Sequence, residues 1–195
     1  MAETLIPMKA SILRAACLLF RERGFHGTSV RDIADRVGLQ GGSLYAHVEK
    51  KDDLLWELVD HAADRFFAAL RPIVASDLGV MQKLRQAIIA HVGVITEDLD
   101  AAAVYTVEWR HLSPDRRDAI TLRRDEYEGL FRAFVSEAIQ QRYLSATDAA
   151  GAARFILTTL NYLFTWYRPD GRLSPEEVGR MLADYIFDGL RRRTA

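Results

Sequence analysis

Apolar residues recur at helical spacing along most of this chain. Ile12, Ala15, Ala16, Leu19 and Phe20 fall at i, i+3, i+4, i+7 and i+8, the spacing of one buried helix face. Leu54, Leu55, Leu58, Val59, Ala62, Phe66 and Ala69 repeat that pattern, as does the stretch from Ile120 to Ile139 with Tyr127, Leu130, Phe131, Phe134 and Val135. The alternating runs of half-buried strands are absent, and so are Asn-Gly or Asp-Gly hairpin turns between apolar runs. Prolines stand only at 7, 72, 114, 169 and 175, leaving long stretches free to be helical. The pattern predicts an all-α protein.

Breakers and caps divide it into about nine helices. The first spans about 8–23 and stops at Gly24. Thr28 or Ser29 caps a short second helix that ends near Val37, before Gly38. A third, very short helix covers about 42–47, and a fourth runs from Lys51–Asp52 to about Ala75. Further helices are predicted near 79–97, 101–111, 115–143, 147–167 and 175–192. Ser113-Pro114 and Ser174-Pro175-Glu176-Glu177 are helix starts, with serine at the cap, proline in the first turn and acids favoured by the helix dipole. Pro169-Asp170-Gly171 reads as a turn.

The second and third helices, separated by Gly38-Leu39-Gln40-Gly41, have the dimensions of a helix-turn-helix. Val30, Ile33, Ala34 and Val37 face the first helix, and Leu44 and Val48 anchor the third. Gly41, Gly42, Ser43, Tyr45, Ala46 and His47 are left facing outward, small enough at the start to approach a major groove and polar enough to reach base edges or phosphates. The hydroxyls of Thr28 and Ser29, with the free amides of a helix start, suit a phosphate oxygen.

The run GFHGTSVRDIADRVGLQGGSLYAHVEKKDDLL, residues 24–55, resembles the DNA-binding domain of the TetR family of transcriptional regulators, and the likeness extends over about residues 9–56. It departs from the usual family string at Ser29 (commonly a second threonine), at Val48 (commonly Phe) and at Glu49, a poor neighbour for DNA. The resemblance implies that Thr28, Ser29 and Lys51 hold phosphates. It also implies that Tyr45 and His47 touch backbone or base edges, with Gly41, Gly42 and Ser43 nearest the bases. A second likeness, in NYLFTWYRPDGRLSPEEV near the end, is to the subset of the family that senses acyl-CoA or other CoA thioesters. The family resemblance implies a helix-turn-helix DNA-binding domain over 1–52 and a larger helical ligand-binding and dimerisation domain over 53–195. The implied partners are a double-stranded, palindromic DNA operator, a second copy of the chain and a small-molecule effector; no cofactor is implied.

The larger part is consistent with that expectation. Phe155, Ile156, Leu160, Leu163 and Phe164 on one late helix and Val178, Met181, Leu182, Tyr185, Ile186 and Leu190 on the last exceed what a monomer of this size ordinarily needs, so these two helices are expected to pair across a homodimer. A ligand pocket would be mainly apolar with few polar groups. Its candidates are Phe67, His91, Tyr105, Trp109, Tyr127, Phe131 and Trp166, and Arg123-Arg124 could meet nucleotide phosphates. A hydrophobic drug-like effector, controlling an efflux or stress gene, is the alternative ligand class.

Composition alters this picture at one point. Of 195 residues, 49% are hydrophobic and 27% charged, ordinary for a globular chain. The formal charge of −1 argues against a nucleic-acid partner until it is divided. Residues 9–51 carry eight basic and four acidic side chains, while 52–195 carry 18 and 22. A basic head is therefore joined to an acidic body, and phosphate neutralisation is local. The other arginines of the head, such as Arg14 and Arg21, read as a solvated face.

Cys17 alone forms no disulfide framework and lies on a buried face, which fits packing and a reducing, cytoplasmic setting. No membrane span or secretory leader is expected. Five histidines show no metal-ligand spacing, and no nucleophile elbow, phosphate loop or dinucleotide fingerprint occurs, so catalysis is not expected. A helical protein-interaction adaptor is the remaining alternative, but it leaves the exposed GSLYAH helix and the local positive charge without a purpose.

Overall fold

The computed structural model describes residues 8–39, 44, 48–145 and 148–190. Among them are eight α-helices: α1 (Met8–Arg23), α2 (Val30–Arg36), α3 (Lys51–Val74), α4 (Val80–Glu97), α5 (Leu99–Val107), α6 (Pro114–Gln140), α7 (Ala149–Asn161) and α8 (Pro175–Leu190). Short 3-10 turns, Glu108–His111 and Tyr162–Thr165, continue α5 and α7. No strand occurs among the described residues.

Local chemistry sets most boundaries. Gly24 and Gly38 take φ of +75° and +72°, the left-handed conformation that closes a helix without Cβ strain. Ser29 and Asp32 form a reciprocal capping box at α2, and Ser174 and Glu177 do the same at α8. At Ser113 the backbone also turns into a helix, but the hydroxyl donates to Asp52 Oδ2 (3.0 Å) and the cap is tied to the start of α3.

Three predicted boundaries move. The helix expected over 101–111 starts earlier, where Asp98 accepts the amides of Asp100 and Ala101, and tightens to 3-10 geometry at Glu108. The helix expected to reach 167 tightens likewise at Tyr162. The helix expected to reach 143 ends at Gln140, because Arg142 adopts φ +63° and the amides of Arg142 and Tyr143 bond back to Ile139 and Ala138. This is a Schellman closure without glycine.

The helices pack around one continuous core that runs from Ile12 in α1 to Phe187 in α8. α3 is central, touching α1, α4, α5 and α6; α4 lies along α8, and α7 along α6. The approach of α4 to α8 is close: a Cβ on the buried Gly179 would stand 3.0 Å from the Ile89 Cα. Leu44 and Val48 are buried in the same core; the rest of the short helix expected over 42–47 lies outside the described residues. No helix among the described residues is long and apolar enough to cross a membrane.

Candidate functional site

Two regions carry chemistry: the N-terminal head and a cavity in the body. In the head, Gly41, Gly42, Ser43, Tyr45 and His47 lie outside the described residues. The other three expected phosphate ligands are described, and all three are engaged internally. Thr28 is 1% exposed, with its hydroxyl directed at the carbonyls of Leu19 (3.2 Å) and Gly24 (3.0 Å). Ser29 is exposed, but its amide donates to Asp32 Oδ2 at 2.7 Å and its hydroxyl to the same oxygen at 2.5 Å. Those hydrogen bonds hold the Asp32 carboxyl below its ordinary pKa, so an anion already sits at the start of α2.

Lys51 donates to the carbonyls of Phe25 (2.6 Å) and Thr28 (2.7 Å), with its ammonium 4.1 Å from the Phe25 ring centre. Burial lowers its pKa. It therefore clamps the α1–α2 loop onto the start of α3, with one N–H left over.

The head is also bolted to the body. Arg14 and Arg21 both reach Asp100, and Arg14 also pairs with Asp98 at the start of α5. The buried Glu108 accepts the Phe25 amide at 2.8 Å, and the His26 and His111 rings share a 3.0 Å hydrogen bond. Arg116 in α6 bridges Asp52 and Asp53 at the start of α3. The head's arginines are thus less free than a solvated face. No sequence signal announces these links, because their partners lie 63 to 86 residues apart.

The cavity, about 340 Å³, opens between α3, α4, α6 and α7 and is closed at one end by α5 and the Glu108–His111 turn. Phe66, Tyr105 and Leu157 form its apolar wall. Its polar wall is a chain in which His91 Nδ1 meets Tyr127 Oη at 3.0 Å and Nε2 meets Asn161 Oδ1 at 3.2 Å. An amide oxygen only accepts, so Nε2 carries the proton and Nδ1 receives the tyrosine hydroxyl. Burial pushes the His91 pKa down to about 3 and raises that of Tyr127, so both stay neutral.

The mouth carries Arg124 and Arg154 together with Asp125 and Glu128. Glu128 is paired with Arg154 at 3.2 Å, whereas Arg124 makes no ion pair among the described residues. Arg124 lies over the rings of Tyr105 and Trp109, 4.9 and 5.0 Å from their centres. Its sequence neighbour Arg123 points elsewhere, bound to Asp60 and Asp64 of α3.

Of the pocket candidates, His91, Tyr105, Trp109 and Tyr127 line this cavity. Phe131 is fully buried behind the lining, packed on Tyr127 and His91, and Phe67 meets Tyr127 edge-on. Trp166 stands apart, 49% exposed. Sequence reasoning missed Asn161, which reads as an ordinary polar residue until the fold places it beside His91.

Comparison with known proteins matches two family descriptions. Residues 12–58 match "Bacterial regulatory proteins, tetR family", and residues 77–190 match "Tetracyclin repressor-like, C-terminal domain". The chain is 32% identical over 187 residues to the HTH-type transcriptional repressor KstR2 of Rhodococcus jostii (strain RHA1), covering 93% of this chain and 90% of that one. Among solved structures, the ketosteroid transcriptional regulator KstR2 of Mycobacterium tuberculosis superimposes with a TM-score of 0.88 at 29% identity, covering 98% of this chain and 99% of that one. AibR, solved in complex with isovaleryl coenzyme A and operator DNA, gives a TM-score of 0.80 at 25% identity, over 94% and 98% of the two chains.

Proposed function

The chain belongs to the TetR family, as a ligand-responsive, DNA-binding transcriptional repressor, and from that premise we propose that its effector is an acyl-CoA or related CoA thioester and its working form a homodimer. The observation that carries the effector class is the cavity. Phe66, Tyr105 and Leu157 offer an apolar wall to a short acyl chain, the volume is at the lower end for ligand pockets, and the mouth holds Arg124, which makes no ion pair among the described residues. An acyl group fits inside, while the nucleotide of the coenzyme remains at the mouth, near Arg124. The AibR complex with isovaleryl coenzyme A supports the same class.

In the proposed mechanism residues 1–52 read DNA and residues 53–195 bind ligand and dimerise. Two heads would enter successive major grooves about 34 Å apart. An effector that binds one dimer geometry more tightly than the other shifts the population away from that spacing and releases the operator. Transmission passes through the links already described: α3, which begins at the clamp of Lys51, and the turn at Glu108–His111, which holds the loop after α1.

Asp125 at the mouth favours a second reading, a hydrophobic cation as effector. Fluorescence anisotropy on a palindromic duplex, selected by the protein from random DNA, separates the two. Release by isovaleryl-CoA or octanoyl-CoA, and not by free CoA, is the expected result. Release by dodecyltrimethylammonium with no effect of either thioester moves the effector to the cationic class.

A further inference from the structure

One polar atom of a residue that lines the cavity is left over, covered by its neighbours until a bound molecule parts them. Trp109 lines the cavity, and its indole Nε1 is buried with no hydrogen-bond partner, alone in this respect among the side chains of the described residues. A buried N–H without an acceptor is costly, and native proteins keep few of them. The other buried polar groups of the wall satisfy one another through the chain of Tyr127, His91 and Asn161. Indole can only donate, so whatever completes it must bring an acceptor. Beside it, Arg124 supplies further donors and a positive charge that makes no ion pair among the described residues.

We infer that Trp109 is the specificity-determining residue of the cavity, donating its indole N–H to a carbonyl or carboxylate oxygen of the bound molecule, with the Arg124 guanidinium beside that oxygen. The inference rests on the reading of the cavity as the effector site and deepens it: the occupant is an oxygen-bearing acyl compound, and a plain hydrocarbon or alkylammonium leaves the donor unmet. The position of Trp109 gives the contact a consequence. Its preceding neighbour, Glu108, holds the Phe25 amide, and His111, two residues on, holds His26. An oxygen seated on the indole is therefore attached to the same four-residue turn that grips the DNA-reading head.

The full-length chain contains three tryptophans, Trp56, Trp109 and Trp166, so ¹⁵N labelling gives three indole N–H signals, assigned by single Trp→Phe variants. Isovaleryl-CoA, octanoyl-CoA and octanoate are added separately, with free CoA and dodecyltrimethylammonium as controls. The expected result is a downfield movement of the Trp109 signal with at least one acyl probe and with neither control. W109F, which keeps the ring and loses the donor, should then bind that probe about tenfold more weakly. The parent spectrum is decisive even if W109F does not fold.

Three results overturn the inference: an acyl probe that binds without moving the Trp109 signal, W109F binding it as tightly as the parent, or no movement with any acyl probe at millimolar concentration. Failure of the effector reading looks different. Thioester-driven release of DNA without an indole shift overturns the seat alone. A shift with octanoate only, with neither thioester releasing DNA, upholds the seat and removes the coenzyme.

Discussion

At the scale of single residues, His91 has the most consequential environment. Its ring is buried, bonded on both nitrogens and held neutral, with a pKa near 3 in place of the ordinary 6.5. The unfolded chain takes up a proton below pH 6.5 that the folded chain refuses, so the stability His91 contributes is full above that pH and drains away as pH falls toward 3. The loss amounts to about 1.4 kcal/mol for each pH unit within that window. H91Q cannot titrate there and retains hydrogen-bonding capacity toward Tyr127 and Asn161. Its unfolding free energy in urea, measured from pH 7 to pH 4, should be lower than the parent's at neutral pH and fall less steeply. Parallel pH profiles would mean that His91 is not kept neutral by the fold.

At the scale of elements, the turn Glu108–His111 joins the two regions, and Glu108 is its firmest link. The carboxylate takes a buried backbone amide, so E108A leaves the Phe25 N–H without a partner at a cost of about 1–3 kcal/mol. The loss should fall on the seating of the head. Amide exchange at residues 25–29 should quicken and operator affinity drop several-fold, while the affinity of the cavity for a bound thioester stays within about twofold. Unchanged exchange in that loop would remove Glu108 from the transmission path. The helices themselves were legible in the sequence because their signals are local: Ser29, Gly24, Gly38 and Ser174-Pro175 act within one turn of where they stand. The shift to 3-10 geometry at Glu108 and the closure at Arg142 were not. Neither has a breaker residue, and the first coincides with a tertiary bond to Phe25. Four of the seven residues proposed for a pocket from the sequence, His91, Tyr105, Trp109 and Tyr127, line the cavity, while Phe67, Phe131 and Trp166 do not. What the pattern could not supply was pairing: which of Arg123 and Arg124 takes carboxylate partners, and that Lys51 and Thr28 turn inward.

At the scale of the whole molecule, the surface left uncovered points to a second copy of the chain. Phe155 in α7 and Tyr185 in α8 are 56% and 68% exposed, and Tyr162 and Trp166 between these helices are also open to water. Of the residues expected to pair across a dimer, Ile156, Leu160, Leu163, Val178, Leu182 and Ile186 are buried within the single chain, so Phe155 and Tyr185, with Tyr162 and Trp166, are what these elements leave for an interface to cover. Pairing these helices with their symmetry mates would hide the patch and set two heads at a fixed separation, as a palindromic operator requires. The charge division of the chain argues in the same direction. Arg14 and Arg21 are paired with Asp98 and Asp100 and Lys51 is held by carbonyl oxygens, so a second head would supply phosphate contacts that one head lacks. Substituting both Phe155→Glu and Tyr185→Glu places four like charges in the paired face. Sedimentation should show the parent as a dimer and the double variant as a monomer of full helical content. Operator affinity should fall by at least about a hundredfold. A parent that sediments as a monomer while binding its operator tightly, or a double variant that remains dimeric, would show that these helices face solvent and that the heads are aligned by other means.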